Sequence, residues 1–336
     1  MLTLFKPYGT IEKEQAMFGD IVNVVGVTKP MGEERDREIR EKLQVCDILK
    51  ADVDIHVNKE FIKDAANLRA VLCASIGVDY VNISDMTEAG IIVANNPTFC
   101  IEAVAEYVIG LMFSIVRRIP KAVNGVLNEN WLVRYDCRGP EIRGKTIGLI
   151  GFGNIGREVA RMARGLGMKV IAYDAFMNES MAESMGVVPV TLDEIYEQAD
   201  VISIHVPLLP STRGMLDKEA FIKMKDGVYV INASRGGIIV EDDLLDACKC
   251  GKVAGAALDV LEQEPPEKHH RMVNLVEQNI IITPHVAFNT DESAERIRSL
   301  YYEQLQSVSN GQIPPAVVNQ EVITHPRVTA WLADRK

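Results

Sequence analysis

The sequence predicts an α/β protein in which helices cover mostly parallel sheets, and three observations carry this. Short apolar runs alternate with helical stretches along almost the whole chain, as strands joined by helical crossovers do. The runs are continuous rather than alternating, the mark of strands buried on both faces. One stretch, Lys145–Asp174, lays out strand, glycine turn, helix and strand in sequence.

Taken in order, Ile21–Val27 reads as a strand and Glu33–Leu43 as a charged, exposed helix. Apolar runs follow at Asp47–Leu49 and Leu68–Cys73, with a helical Phe61–Ala66 between them. Ile83–Ala89 is helical and Ile91–Ala94 a strand, and Asn95-Asn96-Pro97 then breaks the pattern. Ile101–Arg117 is a long helix, apolar on more than one face, which predicts burial between domains or subunits. Asn128–Gly144 is irregular. Strands then recur at Thr146–Ile150, Lys169–Tyr173, Val201–Val206, Val228–Asn232, Ala254–Val260 and Ile280–Ile282. Helices Leu192–Gln198, Phe221–Met224 and Glu241–Cys250 lie among them, and Asp291–Ser309 closes the chain. The run from Thr146 to Ile282 makes one doubly wound domain, and the first ~100 residues a smaller α/β domain. The closing helix returns the tail to that smaller domain.

The Lys145–Asp174 stretch carries Gly151, Gly153 and Gly156 in G-x-G-x-x-G spacing. Gly151 permits the tight turn, Gly153 lets a pyrophosphate approach the backbone, and Gly156 lets the helix pack on the strand. The helix opening near Ile155 aims free N–H groups and its positive end at phosphate. Asp174, ending the second strand, suits the ribose hydroxyls and repels a 2′-phosphate, so NAD is expected rather than NADP.

Composition excludes several classes. The net charge of −11 gives no basic footprint for nucleic acid. No apolar run approaches the ~20 residues of a membrane span, and Met1–Asp20 lacks the apolar core of a signal peptide. The six cysteines are scattered, which suits reduced thiols in a cytoplasmic protein, and no metal site is expected.

Beyond the glycine turn, the chain carries HVPLLPSTRG at His205–Gly214, NASRGGIIVEDDLL at Asn232–Leu245, GAALDVLEQEPP at Gly255–Pro266 and TPHVAFNT at Thr283–Thr290. With these motifs it resembles the D-isomer-specific 2-hydroxyacid dehydrogenases from Leu68 to Asn319. The resemblance implies a Rossmann nucleotide-binding domain, 99–289, inserted into a flavodoxin-like substrate domain formed by 1–98 and 290–336. The family's active site lies in the cleft between such domains. It implies NAD-dependent interconversion of a D-2-hydroxy acid and its 2-keto acid.

The resemblance also implies roles, residue by residue. Arg235 resembles the arginine that grips the substrate's carboxylate and keto oxygen, for which a planar, permanently charged fork is suited. His285 resembles the acid/base that protonates the carbonyl oxygen as hydride reaches C2. Glu264 resembles the carboxylate that orients the histidine and favours its protonated form. The backbone at Ser75, Ile76 and Gly77 would receive the substrate carboxylate, and Asp259 the nicotinamide amide. Asp259 also reads, without the resemblance, as an acid capping the end of its strand. Asn154, Ile155, His205, Pro207, Thr212 and Ala233 complete the implied cofactor contacts, with His205 near the adenine and without a catalytic role. Taken singly, Arg235, Glu264 and His285 would read as an ion-pair partner, a solvated loop acid and a loop histidine.

Glu264 argues against the formate-oxidising members, which carry glutamine there. The His285–Thr290 string is nearer to the D-lactate and D-2-hydroxyisocaproate branch than to phosphoglycerate dehydrogenases. A short phosphoglycerate or hydroxypyruvate/glyoxylate reductase is the alternative. A further reading, of a different class, is an NAD-sensing co-repressor that binds proteins. The apolar Ile101–Arg117 helix and the Asn128–Gly144 arm predict a homodimer.

Overall fold

The computed structural model describes residues 1–52, 55–273 and 275–333. It divides into two compact units, one formed by Met1–Phe99 with Asp291–Lys336, the other by Cys100–Thr290.

The first unit holds β1 (Leu2–Lys6), α1 (Glu12–Phe18), β2 (Val22–Gly26), α2 (Glu33–Val45), β3 (Ile48–Ala51), β4 (Ala70–Cys73), α3 (Ile83–Glu88) and β5 (Ile92–Ala94). The five strands are parallel in the order β2-β1-β3-β4-β5, with Leu4 opposite Ile48 and Ile48 opposite Ala70. The two-residue strand period splits the apolar side chains between two cores. Leu4, Val24, Ile48, Leu72 and Ile92 pack with Tyr301, Leu305 and Trp331 from the chain's C-terminal helices. Phe5, Leu49, Val71 and Val93 pack with Leu43 and Met86 on the other face.

The second unit opens with α4 (Ile101–Val116) and α5 (Ile119–Leu127). It continues through β6 (Thr146–Ile150), α6 (Asn154–Gly165), β7 (Lys169–Tyr173), α7 (Glu179–Ser184), β8 (Val188–Pro189), α8 (Leu192–Gln198), β9 (Val201–Ile204), α9 (Lys218–Lys223), β10 (Val228–Asn232), α10 (Glu241–Lys249), β11 (Val253–Leu258) and β12 (Ile280–Ile282). α11 (Asp291–Ser309) and α12 (Pro326–Ala333) belong to the first unit. The second sheet runs β12-β11-β10-β9-β6-β7-β8, so the strand order reverses between β6 and β9. In open parallel sheets, that reversal opens the crevice where ligands bind, outside the carboxyl ends of the strands.

Several elements depart from the sequence reading. Phe61–Ala66 forms turns, not a helix: Asn58 caps the Phe61 N–H and Ile62 N–H reaches the Asn58 carbonyl as at a helix start, but the chain then closes a tighter link, Ala65 N–H to the Ile62 carbonyl. β1 and the two-residue edge strand β8 carried too little apolar length to be read, and β8 makes the second sheet seven-stranded among the described residues. The long apolar helix stops at Val116 because Pro120, four residues on, would clash with the Val116 carbonyl if the helix continued. Arg118 turns the chain in a left-handed conformation (φ 51°). Within the second unit, α4 packs against α6, β10 and β11.

Candidate active site

The glycine turn is built as its sequence requires. Gly151 sits at φ +103°, and a Cβ there would lie 2.6 Å from the His205 carbonyl carbon. A Cβ on Gly156 would lie 2.3 Å from the Gly151 oxygen, whereas nothing lies within 4 Å of one on Gly153. The turn is therefore closed below and open above. α6 starts at its mouth with no side chain capping it, so the first N–H groups remain available to an anion. This cradle and the adjacent carboxylate fit the pyrophosphate and ribose of a dinucleotide.

Asp174 does more than await a ligand. Its two oxygens accept the Phe152 N–H at 2.7 Å and the Phe176 N–H at 2.8 Å, tying the glycine turn to the end of β7. His205 supports the turn from the neighbouring β9. Its backbone N–H reaches the Ile150 carbonyl, and its Nε2 lies 2.9 Å from Ser203 Oγ. Desolvation pushes its pKa down to about 4, so the ring is neutral at physiological pH, although its residue keeps some accessible surface. Thr212 closes the next loop, its hydroxyl donating to the Pro207 carbonyl and accepting from the Leu209 N–H. Pro207 and Ala233 stand just beyond the carboxyl ends of β9 and β10.

The carboxyl ends of β10, β11 and β12 bring the remaining three groups together. Asn232, the buried last residue of β10, wraps the following turn: its Oδ1 accepts Ser234 N–H and Oγ–H, and its Nδ2 donates to the Arg235 carbonyl. Arg235 is thereby held in extended backbone, half-buried, and its charge reaches Glu264.

Glu264 lies on the loop after β11. One oxygen accepts the Leu261 N–H at 2.9 Å, and the other meets His285 Nδ1 at 2.7 Å. Burial works to raise its pKa. The His285 hydrogen bond and charge, the Leu261 N–H and the Arg235 charge outweigh that and hold the carboxyl below the usual range. His285 has φ 51°, a conformation non-glycine residues adopt only where the surroundings impose it. The surroundings are Asp259, 1% exposed. Its carboxylate accepts Thr283 Oγ–H, Val286 N–H and Ala287 N–H, and its carbonyl accepts the His285 N–H. Nδ1 is thus committed to Glu264, leaving Nε2 as the nitrogen for chemistry.

Three supports went unread in the sequence. Asn232 and Thr283 are polar residues next to strands, and their partners come from folding. Glu241, at the start of α10, is buried and accepts the Glu262 N–H at 2.8 Å, steadying the loop before Glu264. Gly236 lets that loop come close, since a Cβ there would lie 2.0 Å from the Leu261 oxygen.

In the first unit, the Ser75–Gly77 turn follows β4. Asn95 Nδ2 donates to the Ile76 carbonyl, Asn96 N–H to that of Ser75, and Ser75 Oγ to that of Gly77. Among the described residues, the three backbone N–H groups carry no hydrogen bond.

A family model described as D-isomer specific 2-hydroxyacid dehydrogenase, NAD binding domain, matches residues 109–287. The chain belongs to the D-isomer-specific 2-hydroxyacid dehydrogenase family. A D-3-phosphoglycerate dehydrogenase of Methanocaldococcus jannaschii is 36% identical over 311 residues, 92% of this chain and 57% of that protein. This chain spans about half the length of such phosphoglycerate dehydrogenases. A glyoxylate reductase of Thermofilum pendens is 36% identical over 88% of this chain and 86% of its own length. Among solved structures, a D-lactate dehydrogenase from Aquifex aeolicus complexed with NAD and lactic acid has a TM-score of 0.83 at 28% identity, covering 94% of this chain and 99% of that one. The family fold, a Rossmann unit with a second α/β unit, is the fold described above. NAD is the cofactor of the matched domain. The names span the D-lactate branch and its alternatives, so the short His285–Thr290 string does not separate them.

Proposed function

We propose that this family member is an NAD-dependent oxidoreductase that interconverts a D-2-hydroxy acid and its 2-keto acid. The observation that carries the reading is the Glu264–His285 pair at 2.7 Å, with Nδ1 committed and Nε2 left for substrate. Arg235 anchors the substrate's carboxylate and keto oxygen, a task for a planar fork rather than a point charge. The Ser75–Gly77 N–H groups add donors for the carboxylate. Bound NADH, cradled by the Gly151–Gly156 turn, Asn154, Ile155 and Asp174, supplies the hydride. His285 Nε2 gives its proton to the substrate oxygen in reduction and takes it back in oxidation, while Glu264 holds the ring in register. Asp259, its carboxylate engaged by the Thr283–Ala287 turn, serves first to fix His285 and only second any amide of the cofactor.

A panel of 2-keto acids (pyruvate, 2-ketoisocaproate, phenylpyruvate, hydroxypyruvate, glyoxylate and 3-phosphohydroxypyruvate) assayed with NADH tests this. Turnover of at least one supports the reading and ranks the D-lactate-like branch against the hydroxypyruvate, glyoxylate and phosphoglycerate alternatives. NADH binding without turnover of any would favour the NAD-sensing, protein-binding reading. No helix among the described residues is long and apolar enough to cross a membrane, and we infer a cytoplasmic homodimer. The dimer rests on the exposed apolar side chains of α5 and of the turn at Trp131–Tyr135.

A further inference from the structure

A cavity of about 330 Å³ opens in the first unit, at the amino-terminal ends of β4 and β5, the end of β4 opposite the Ser75–Gly77 turn. Its walls come from the residues leading into β4 and β5 and from α12, among them Asn67, Arg69, Gly90, Arg327 and Trp331. The volume lies at the low end of small-molecule sites, which run roughly from 300 to 1,000 Å³.

Among the described residues, the charge inside is unbalanced. Arg69 and Arg327 both line the cavity, and among the described residues the one ion pair recorded for either is Arg69 Nε to Asp47, at 3.3 Å. Burial, and then the charge of Arg69, lower the pKa of Arg327, as expected where like charges are brought together out of water. Arg327 is fixed: Nη1 donates to the Ala89 carbonyl, and Nη2 to those of Ala66 and Leu68. It acts on the cavity as an immobile positive charge, while Arg69 keeps its terminal fork. The Arg69 guanidinium lies over the Trp331 ring, 5.7 Å from its centroid. Trp331 is 8% exposed, and its Nε1 is buried without a hydrogen-bond partner among the described residues. That nitrogen has no surface open to the cavity, so Trp331 contributes its ring, as the wall beneath the Arg69 guanidinium.

We propose that this cavity is a binding site for a small organic anion, a carboxylate or phosphate, held by the free fork of Arg69 and the fixed charge of Arg327, with the Trp331 ring as a wall. Among the described residues, two guanidinium groups share one carboxylate, and an oxyanion in the cavity supplies the missing charge. The site is separate from the His285 chemistry and does not depend on it. It is joined to the Ser75–Gly77 turn by β4, which begins after Arg69 and ends two residues before Ser75.

Trp331 is itself the reporter, since the chain holds two tryptophans and Trp131→Phe leaves it alone. In that background, Trp331 emission is followed during titration with inorganic phosphate, and separately with succinate, at constant ionic strength and without NADH. A saturable change is expected with at least one anion. Arg69→Gln should weaken it at least tenfold, and Arg235→Gln should leave it unchanged. The two anions distinguish a phosphate ligand from a carboxylate one. Should Arg69→Gln fail to fold, Asn67→Asp decides: the position is exposed, and a carboxylate there should weaken binding similarly. No saturable change with either anion, or equal binding in the Arg69 or Asn67 variant, would overturn the proposal. So would loss of the signal on Arg235→Gln, which would place the anion at the candidate active site instead.

Discussion

At the scale of residues, the site reduces to which proton sits where. The contacts that hold the Glu264 carboxyl low are mainly those to His285, so the charge of Glu264 is the part of the pair to test. Reduction needs a proton on the His285 ring to give to the substrate oxygen. Glu264→Gln keeps shape and a hydrogen bond but removes the charge. The falling limb of kcat/KM for keto-acid reduction should then move to lower pH. Paired pH–rate profiles with saturating NADH check this, and an unmoved limb would separate Glu264 from the proton transfer. Arg235→Lys keeps the charge and loses the fork, so keto-acid KM should rise at least tenfold while NADH affinity holds. An equal loss in both would make Arg235 a structural residue. These three residues were legible because each sits inside a long motif. What the sequence could not show is how they are held. Asn232, Glu241 and Thr283 do their holding through partners more than 20 residues away or around a turn, and nothing in their local spacing announces it.

At the scale of elements, two close approaches support the site, and each gives a prediction. The loop before Glu264 rests on Gly236, where a methyl would lie 2.0 Å from the Leu261 oxygen. Gly236→Ala must push that loop and Glu264 with it, and a shift of the order of 1 Å can cost about 10²-fold in rate. A fall in kcat of about that size is expected, with NADH binding near wild type because the glycine turn is untouched. Wild-type kcat in a folded variant would contradict the close approach. At the other end, Asp174 ties the turn to β7 as well as facing the ribose. Asp174→Ala should therefore raise the KM for NADH by about tenfold, near the loss of one charge-assisted hydrogen bond, and narrow the preference over NADPH. Equal use of NADPH by the wild type would refute the assignment. The strands of the second unit other than β8 were readable because they are continuous apolar runs followed by turn residues. β1 and α12 were not: Leu2–Lys6 is short and ends in a charge, and Pro326–Ala333 becomes a helix through the burial of Val328 and Trp331. The Phe61–Ala66 stretch starts as a helix does, at Asn58, but tightens into turns one residue later, which its composition does not show.

At the scale of the whole molecule, the question is what covers the apolar surface that one chain leaves open. Ile119, Val123, Val126, Leu127, Trp131, Leu132 and Tyr135 are each between 45% and 77% exposed, and they fall within one short span of the second unit. Their neighbours on the inner side are accounted for: Val133 is buried against Gly125, where a Cβ would lie 2.4 Å from the valine's Cγ1. α5 and the Trp131–Tyr135 turn thus form one packed piece with an apolar outer face, not a loose loop. Scattered exposed hydrophobics are ordinary on a monomer, but a contiguous set rich in aromatics marks an interface. A twofold pairing of this piece with its copy would bury the same side chains on both partners, so each substitution acts twice. Leu132→Asp buries a charge in the centre of such an interface. A central apolar side chain is worth about 2 kcal/mol, and twice that weakens dimerisation by roughly a thousandfold. Light scattering on the wild type at micromolar concentration should give twice the chain mass, and Leu132→Asp the mass of one chain with an unchanged circular-dichroism spectrum. A wild type that stays monomeric would refute the assembly. A dimer that survives Leu132→Asp would move the interface elsewhere and leave this face to another partner.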